Sequence, residues 1–442
     1  MTASIFAPDY TETVYWNEVA RRGPAGWEGA FPSQADVVVV GTGLTGASAA
    51  HTLAAAGRNV VAIDQGEIGG GASSRNAGML GKGSRQSYLL LAKAAGREAA
   101  ARYFSELDRI YDEAVDRIVG EGFDCDFRTT GRFIGALRPD HLDRLIREYE
   151  ARALHLGEKV KLVRGAPDGI VGSQQYFGGV FLEDSASVNP AGYTAAMVDR
   201  AIRAGARFIP RAAALGVGRD GNGHVVRTPR GSIRCRNVVV ATNGYGGMEF
   251  PYARARLVPI NAYMIATGEL PPEVIESVSP ARSTNVDSTR ANRYYQVSPD
   301  GRRLVFGSRT GRRPPGPLKA VARRIHEDMT YLFPQLADAK VSRAWTGRCA
   351  ASIDFSPHLA EHDGIHYAVG YSFTGLALAP YLGRLAGEWI KTGRRPETAF
   401  ATGEFPTLPA IAQLFRPLTS PVATRYYAWV DRPARRAADP VS

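Results

Sequence analysis

Ala35-Asp36-Val37-Val38-Val39-Val40-Gly41-Thr42-Gly43-Leu44-Thr45-Gly46 is the stretch from which the architecture of this 442-residue chain follows. Its unbroken β-branched run suits a strand buried on both faces of a parallel sheet. The run ends in a GxGxxG pattern. Small helix-forming residues continue from Gly46 to Ala56 and stop at Gly57, where a helix C-cap glycine belongs. Asn59 to Asp64 reads as the next buried strand, so the whole forms a βαβ unit of the doubly wound type. That context makes an otherwise weak glycine pattern a specific one. Gly41 permits the tight turn, Gly43 lets backbone approach a pyrophosphate, and Gly46 lets the helix lie close on the strand. The N–H groups at the helix start, around Leu44 and Thr45, are expected to face the phosphates. Asp64, with Gln65 beside it, stands at the strand end about 20 residues further on, where a carboxylate accepts hydrogen bonds from an adenosine ribose.

Outward from this unit the chain reads as an α/β protein. A Rossmann-like nucleotide domain is expected to be interleaved with an α+β substrate domain, since 442 residues exceed one domain of about 100–200 residues. Residues 1–34 hold aromatics such as Tyr15-Trp16 and a Gly23-Pro24 pair without periodicity, and read as an extended arm. Residues 89–152 show helical spacing, interrupted by a strand near 130–137. Asn189-Pro190 supplies an N-cap and a first-turn proline for a helix ending at Gly205. Gly221-Asn222-Gly223 marks a hairpin, Asn237–Thr242 a second buried strand, and His366–Gly370 another. The nucleotide domain is therefore expected over 35–90, 181–250 and 345–442, and the substrate domain over 91–180 and 251–344.

Composition narrows the function. The net charge of +11 invites a nucleic-acid reading, but the arginines are scattered apart from pairs such as Arg312-Arg313 and Arg435-Arg436, which fits a solvated basic surface. Cys125, Cys235 and Cys349 lack CxxC spacing, which argues against zinc, a redox disulfide and a disulfide scaffold, and suits a reducing cytoplasm. No metal is expected. The first nine residues lack a basic region followed by an apolar core, and no apolar run reaches the roughly 20 residues of a membrane span.

A second loop, Ile68-Gly69-Gly70-Gly71-Ala72-Ser73-Ser74-Arg75-Asn76-Ala77-Gly78-Met79, selects the dinucleotide. Small residues and hydroxyls followed by a guanidinium suit diphosphate and flavin edges better than a nicotinamide. The segment resembles the second glycine-rich loop of the D-amino-acid oxidase-like FAD-dependent oxidoreductases, which include glycine and sarcosine oxidases and D-amino-acid dehydrogenases. That resemblance implies non-covalent FAD, with Ser73, Ser74, Arg75, Asn76, Ala77, Gly78 and Met79 along the pyrophosphate and flavin. Gly370-Tyr371-Ser372-Phe373-Thr374-Gly375-Leu376-Ala377 is a strand, loop and helix start, and a helix N-terminus favours negative charge. By the same resemblance Gly370, Tyr371, Thr374 and Gly375 border the flavin, and the N–H groups around Leu376 and Ala377 approach its O2.

Trp345-Thr346-Gly347-Arg348-Cys349 followed by Asp354, Pro357 and His358 is similar to the branch of that family containing γ-glutamylputrescine oxidase. In the glycine-oxidase branch an arginine shortly after this tryptophan holds the substrate carboxylate. Here Cys349 stands at that place with Arg348 beside it. Covalent flavin attachment to Cys349 is not expected, because the matching register is Gly347. His51 and His358 read as packed residues. The resemblance implies oxidation of a small amine by hydride transfer to flavin N5, giving an imine that hydrolyses, with oxygen or an electron carrier as acceptor. Tyr371 and Trp345 are the expected pocket walls, and Arg348 and Arg309 the expected partners for an acidic group. A D-amino-acid or N-substituted glycine oxidase or dehydrogenase is the alternative; a flavoprotein acting on tRNA, or a subunit using FAD structurally, are readings of other classes.

Overall fold

The computed structural model describes residues 4–20, 26–289, 292–308, 316–401, 403–410 and 413. Val37–Val40 forms a four-residue strand with all four valines buried. It lies in a six-stranded sheet of order Arg207–Ile209, Val60–Ile63, Val37–Val40, Asn237–Val240, Ile365–Val369, His358–His362. All neighbours are parallel except the last pair. Alternation along these strands serves two cores, as side chains on a pleated strand point alternately to opposite faces. Val37, Val39, Val60 and Ala62 pack under helices, while Val38, Val40, Val61 and Ile63 meet Val226 and Ile233 of a three-stranded antiparallel sheet.

The helix expected from Gly46 spans Leu44–Ala55, and Gly57 follows with φ +77°. Pro190–Arg203 is capped by Asn189, whose side chain accepts from the N–H groups of Ala191 and Gly192. The periodic region 89–152 resolves into helices Tyr88–Ala95, Arg97–Gly120 and Pro139–Leu156, with a strand at Arg132–Gly135. Gly383 and Gly387 of the C-terminal helix Gly375–Thr392 let it approach Leu44–Ala55 closely: a Cβ on Gly383 would meet the Thr45 carbonyl oxygen at 2.1 Å. None of the described helices is long and apolar enough to cross a membrane.

The second large sheet has nine strands, in the order Phe6–Thr11, Val341–Ala351, Val258–Thr267, Leu304–Ser308, Arg293–Val297, Thr284–Asp287, Arg132–Gly135, Gly178–Leu182, Val160–Arg164. Val341–Ala351 pairs with Val258–Thr267 along its whole length, so residues 345–351, placed with the nucleotide segment by sequence, belong to this sheet instead. The pairing runs from Val341 to Ala351 with one register shift between Ala266 and Thr267, and so crosses the boundary drawn at 344/345. The Gly178–Leu182 strand likewise crosses the boundary drawn at 180/181. The arm is also structured: Phe6–Thr11 is an edge strand and Tyr15–Val19 a short helix.

Trp16 of that helix is fully buried beside Trp345 in a cluster with Met264, Ala266 and Val305. Its indole donates to the Asn76 carbonyl at 2.8 Å. Trp16→Ala is expected to cost about 3–5 kcal/mol through cavity formation. Trp16→Phe, which keeps a ring and strands one half-buried acceptor, is expected to cost about 1–3 kcal/mol. Denaturant unfolding of both variants checks this order; equal, negligible losses would show the arm to be a loose attachment.

Candidate cofactor and substrate site

A cavity of about 720 Å³ is lined by both large sheets and by the two glycine-rich loops. At one end the strand Val37–Val40 delivers Gly41, Thr42, Gly43, Leu44 and Thr45 to its wall. Gly41 has φ +101°, a conformation that excludes most side chains. A Cβ on Gly43 would sit 2.5 Å from the Ser73 hydroxyl oxygen, so backbone alone can occupy that approach. The Leu44 N–H donates to Ser73 Oγ at 2.9 Å, joining the two loops where phosphates are expected. Asp64 and Gln65 line the cavity too. One Asp64 oxygen accepts from the Thr42 N–H at 2.9 Å and the Thr42 hydroxyl at 2.7 Å, and the other from the Gly66 N–H at 3.0 Å. A carboxylate has about four acceptor sites, so these three donors orient it without saturating it.

In the second loop Ser73, Arg75, Asn76, Ala77 and Met79 line the cavity. Arg75 is anchored by its own loop, donating from Nε to the Gly70 carbonyl at 2.6 Å and from Nη1 to the Thr346 carbonyl at 3.1 Å. Asn76 donates to the carbonyls of Ala72 and Ser73 and accepts from the Gly78 N–H. Two expected lining residues stand behind the wall. Ser74 is buried and donates to the Gly69 carbonyl, and Gly78 packs with φ +69° so tightly that a Cβ would meet Val188 O at 2.3 Å. Gly46 is also behind the wall, 1.8 Å being left between its would-be Cβ and Gly41 O, which is the close packing role read from the motif.

At the C-terminal loop Tyr371, Thr374, Gly375, Leu376 and Ala377 line the cavity, whereas Gly370 donates its N–H to Asn243 Oδ1 and lies outside it. No side chain caps the helix at Thr374, whose hydroxyl donates to the Tyr371 carbonyl instead. The first amides of this helix therefore lack intrahelical acceptors and suit an anionic cofactor edge. Ser372 and Phe373 reach it with φ +48° and +73°, held by the Ser372 N–H on Ala350 O and the Phe373 N–H on Cys349 Sγ.

The expected substrate residues fare unequally. Tyr371 presents its ring but not its hydroxyl, which bonds Thr45 Oγ1 at 2.8 Å and the Ala368 carbonyl at 3.2 Å; burial pushes the phenol far up. Trp345 is not a pocket wall. Its ring is buried in the Trp16 cluster and its indole donates to the Arg75 carbonyl at 2.9 Å, so the second glycine-rich loop takes up its polar group. Arg348 lines the cavity from an exposed rim position, its guanidinium near Asn261 and the Tyr245 ring. Arg309 lies outside the described residues, as do Arg312-Arg313 and Arg435-Arg436. Cys349 is buried and lines the cavity, and Gly347 does so beside Arg75. His51 is away from the cavity, and burial with Arg200 nearby brings its imidazole down to about 4. His358 pairs with Asp354 and stacks on Phe405. Among the described residues no histidine lines the cavity.

Sequence reading passed over Thr42, Tyr245, Tyr294 and Arg132, all lining residues. Thr42 and Tyr245 sit just past the C-terminal ends of parallel strands, and the rule that ligands bind there could have found both. Arg132 and Tyr294 carry no local signal, since nothing near them departs from ordinary strand sequence.

Comparison with known proteins agrees with this geometry. The chain is 29% identical to gamma-glutamylputrescine oxidoreductase of Escherichia coli, covering 90% of this chain and 93% of that protein. It is 25% identical to glycine oxidase of Bacillus subtilis over 80% of this chain and 92% of that one. The solved glycine oxidase of Geobacillus kaustophilus superposes with a TM-score of 0.67 at 22% identity, covering 85% and 99%, a likeness of fold. Residues 36–389 match the FAD dependent oxidoreductase family. The chain belongs to that FAD dependent oxidoreductase (DAO) family.

Proposed function

We propose that this enzyme oxidises the C–N bond of a small amine, holding FAD without a covalent link. The observation that carries the reading is the single cavity joining the Gly41–Gly46 and Gly71–Met79 loops, the uncapped helix start at Gly375–Ala377 and the inner face of the nine-stranded sheet. Bound FAD supplies the two-electron acceptor. Ser73 and the amides from Gly43 to Thr45 hold its phosphates, Asp64 its ribose, and the amides at Leu376 and Ala377 favour a negative edge. An amine must be neutral to release electron density, and an apolar, water-poor pocket disfavours the ammonium form. Met264, Tyr294 and Ile134 contribute that apolar wall. Exposed Arg348 is screened by water and makes a weak clamp for an α-carboxylate. Gamma-glutamylputrescine oxidoreductase, whose name denotes a substrate containing an amine, supports the amine reading.

Acid precipitation is expected to release the flavin into the supernatant; yellow colour retained in the pellet would assign Cys349 or another side chain as a covalent anchor. Asp64→Ala is expected to weaken FAD retention by about 1–3 kcal/mol, the scale of a charged hydrogen-bond partner, in a titration of the apoprotein. Anaerobic bleaching of the flavin by amines tests the reaction. Amines with no carboxylate, or with one remote from the nitrogen, are expected to reduce it faster than sarcosine or D-alanine. An inverted order would assign an amino-acid oxidase instead.

A further inference from the structure

Arg132 faces the cavity from the strand Arg132–Gly135. Its guanidinium lies over Gly81, where a Cβ would come within 3.1 Å of Nη1 and Nη2, so the glycine makes room for it. Nε donates to Thr284 Oγ1 and Nη2 to the Leu80 carbonyl, both at 3.3 Å. Among the described residues Nη1 has no hydrogen-bond acceptor, and the residue is half-buried. The nearby acids of the cavity are matched elsewhere: Asp184 with Lys82, Glu158 with Arg152, and Asp287 with Arg293. Among the described residues no carboxylate lies within 4.0 Å of Arg132. Burial pulls its proton affinity below the ordinary guanidinium value. An enclosed cation without a counter-charge is costly, and an anion entering the cavity would remove that cost. A planar fork of N–H groups matches a carboxylate in two-point geometry.

Arg348 stands well apart from Arg132 along the sheet. From its strand to that of Arg132 the sheet runs through Val258–Thr267, Leu304–Ser308, Arg293–Val297 and Thr284–Asp287, five interstrand steps of about 4.8 Å each. We propose that Arg132 binds the carboxylate of the substrate, so that the preferred substrates are amines whose acidic group is gripped from the Arg132–Gly135 strand. This rests on the amine-oxidation reading above and assigns the acid a place within it.

The test uses the FAD-loaded enzyme and two matched pairs, 5-aminopentanoate with pentylamine for flavin reduction and pentanoate with pentanamide for binding. Binding is read as a perturbation of flavin absorption, which needs no turnover. In the wild type 5-aminopentanoate is expected to exceed pentylamine in kcat/KM by about 10- to 100-fold, the equivalent of one charge-assisted pair, and pentanoate to bind where pentanamide does not. In Arg132→Met both differences are expected to collapse, chiefly through KM, while Arg348→Met retains them. Arg132→Lys keeps the charge without the fork and is expected to fall between, which separates lost recognition from failed folding. Differences that persist in Arg132→Met, or vanish only in Arg348→Met, would overturn the proposal. So would loss of FAD from Arg132→Met, since the cation would then serve the cofactor. If neither amine reduces the flavin in any variant the amine reading fails, and the pentanoate titration still decides the role of Arg132.

Discussion

Two adjacent carbonyls, of Arg75 and Asn76, accept hydrogen bonds from two indoles that arrive from opposite ends of the chain, Trp345 at 2.9 Å and Trp16 at 2.8 Å. The loop they hold is rich in glycine and serine, residues that offer little side-chain packing of their own and leave the unfolded chain very free. Buried indoles supply what the loop lacks: large apolar area together with one directed donor. With those carbonyls fixed, Ser73 meets the Leu44 amide and Arg75 bridges to Thr346. The shape of the cavity at its centre is thus set from the second sheet and from the N-terminal arm, although its chemistry comes from the first sheet.

That division explains what could be read in advance. Gly41, Gly43, Gly46, Asp64 and the Gly71–Met79 loop announce themselves because their constraints are local: a turn needing positive φ, an amide needing a phosphate, an acid at a strand end. Trp345 was visible as part of a segment, but what covers its ring depends on Met264 of the paired strand and on Trp16 of the distant arm. Trp345, Gly347 and Cys349 share one face of their own strand; Gly347 and Cys349 reach the cavity, and Trp345 is taken up by the Trp16 cluster and the Arg75 carbonyl. Arg132 was illegible for a stronger reason. A lone arginine in a strand acquires meaning only when the acids around it are seen to be taken by other cations.

Strain and polarity gather at the loop before the C-terminal helix. Two successive non-glycine residues, Ser372 and Phe373, adopt positive φ there, which costs energy that neighbouring hydrogen bonds must offset. Tyr371 contributes through its bond to Thr45, tying this loop to the first residues of the helix Leu44–Ala55. The two helix N-termini that face the cavity are thereby held to each other, and the close packing at Gly383 extends the tie along both helices.

The interleaving of the six-stranded sheet has a consequence for biosynthesis. Asn237–Val240 pairs with Ile365–Val369, and the helix that packs on Leu44–Ala55 ends only at Thr392. A ribosome adding about 5–20 residues per second emits the Gly41–Gly46 loop tens of seconds before the segment that completes its pocket. Through that interval the first glycine-rich loop faces an unfinished pocket, and the FAD site is complete only after most of the described chain has been made.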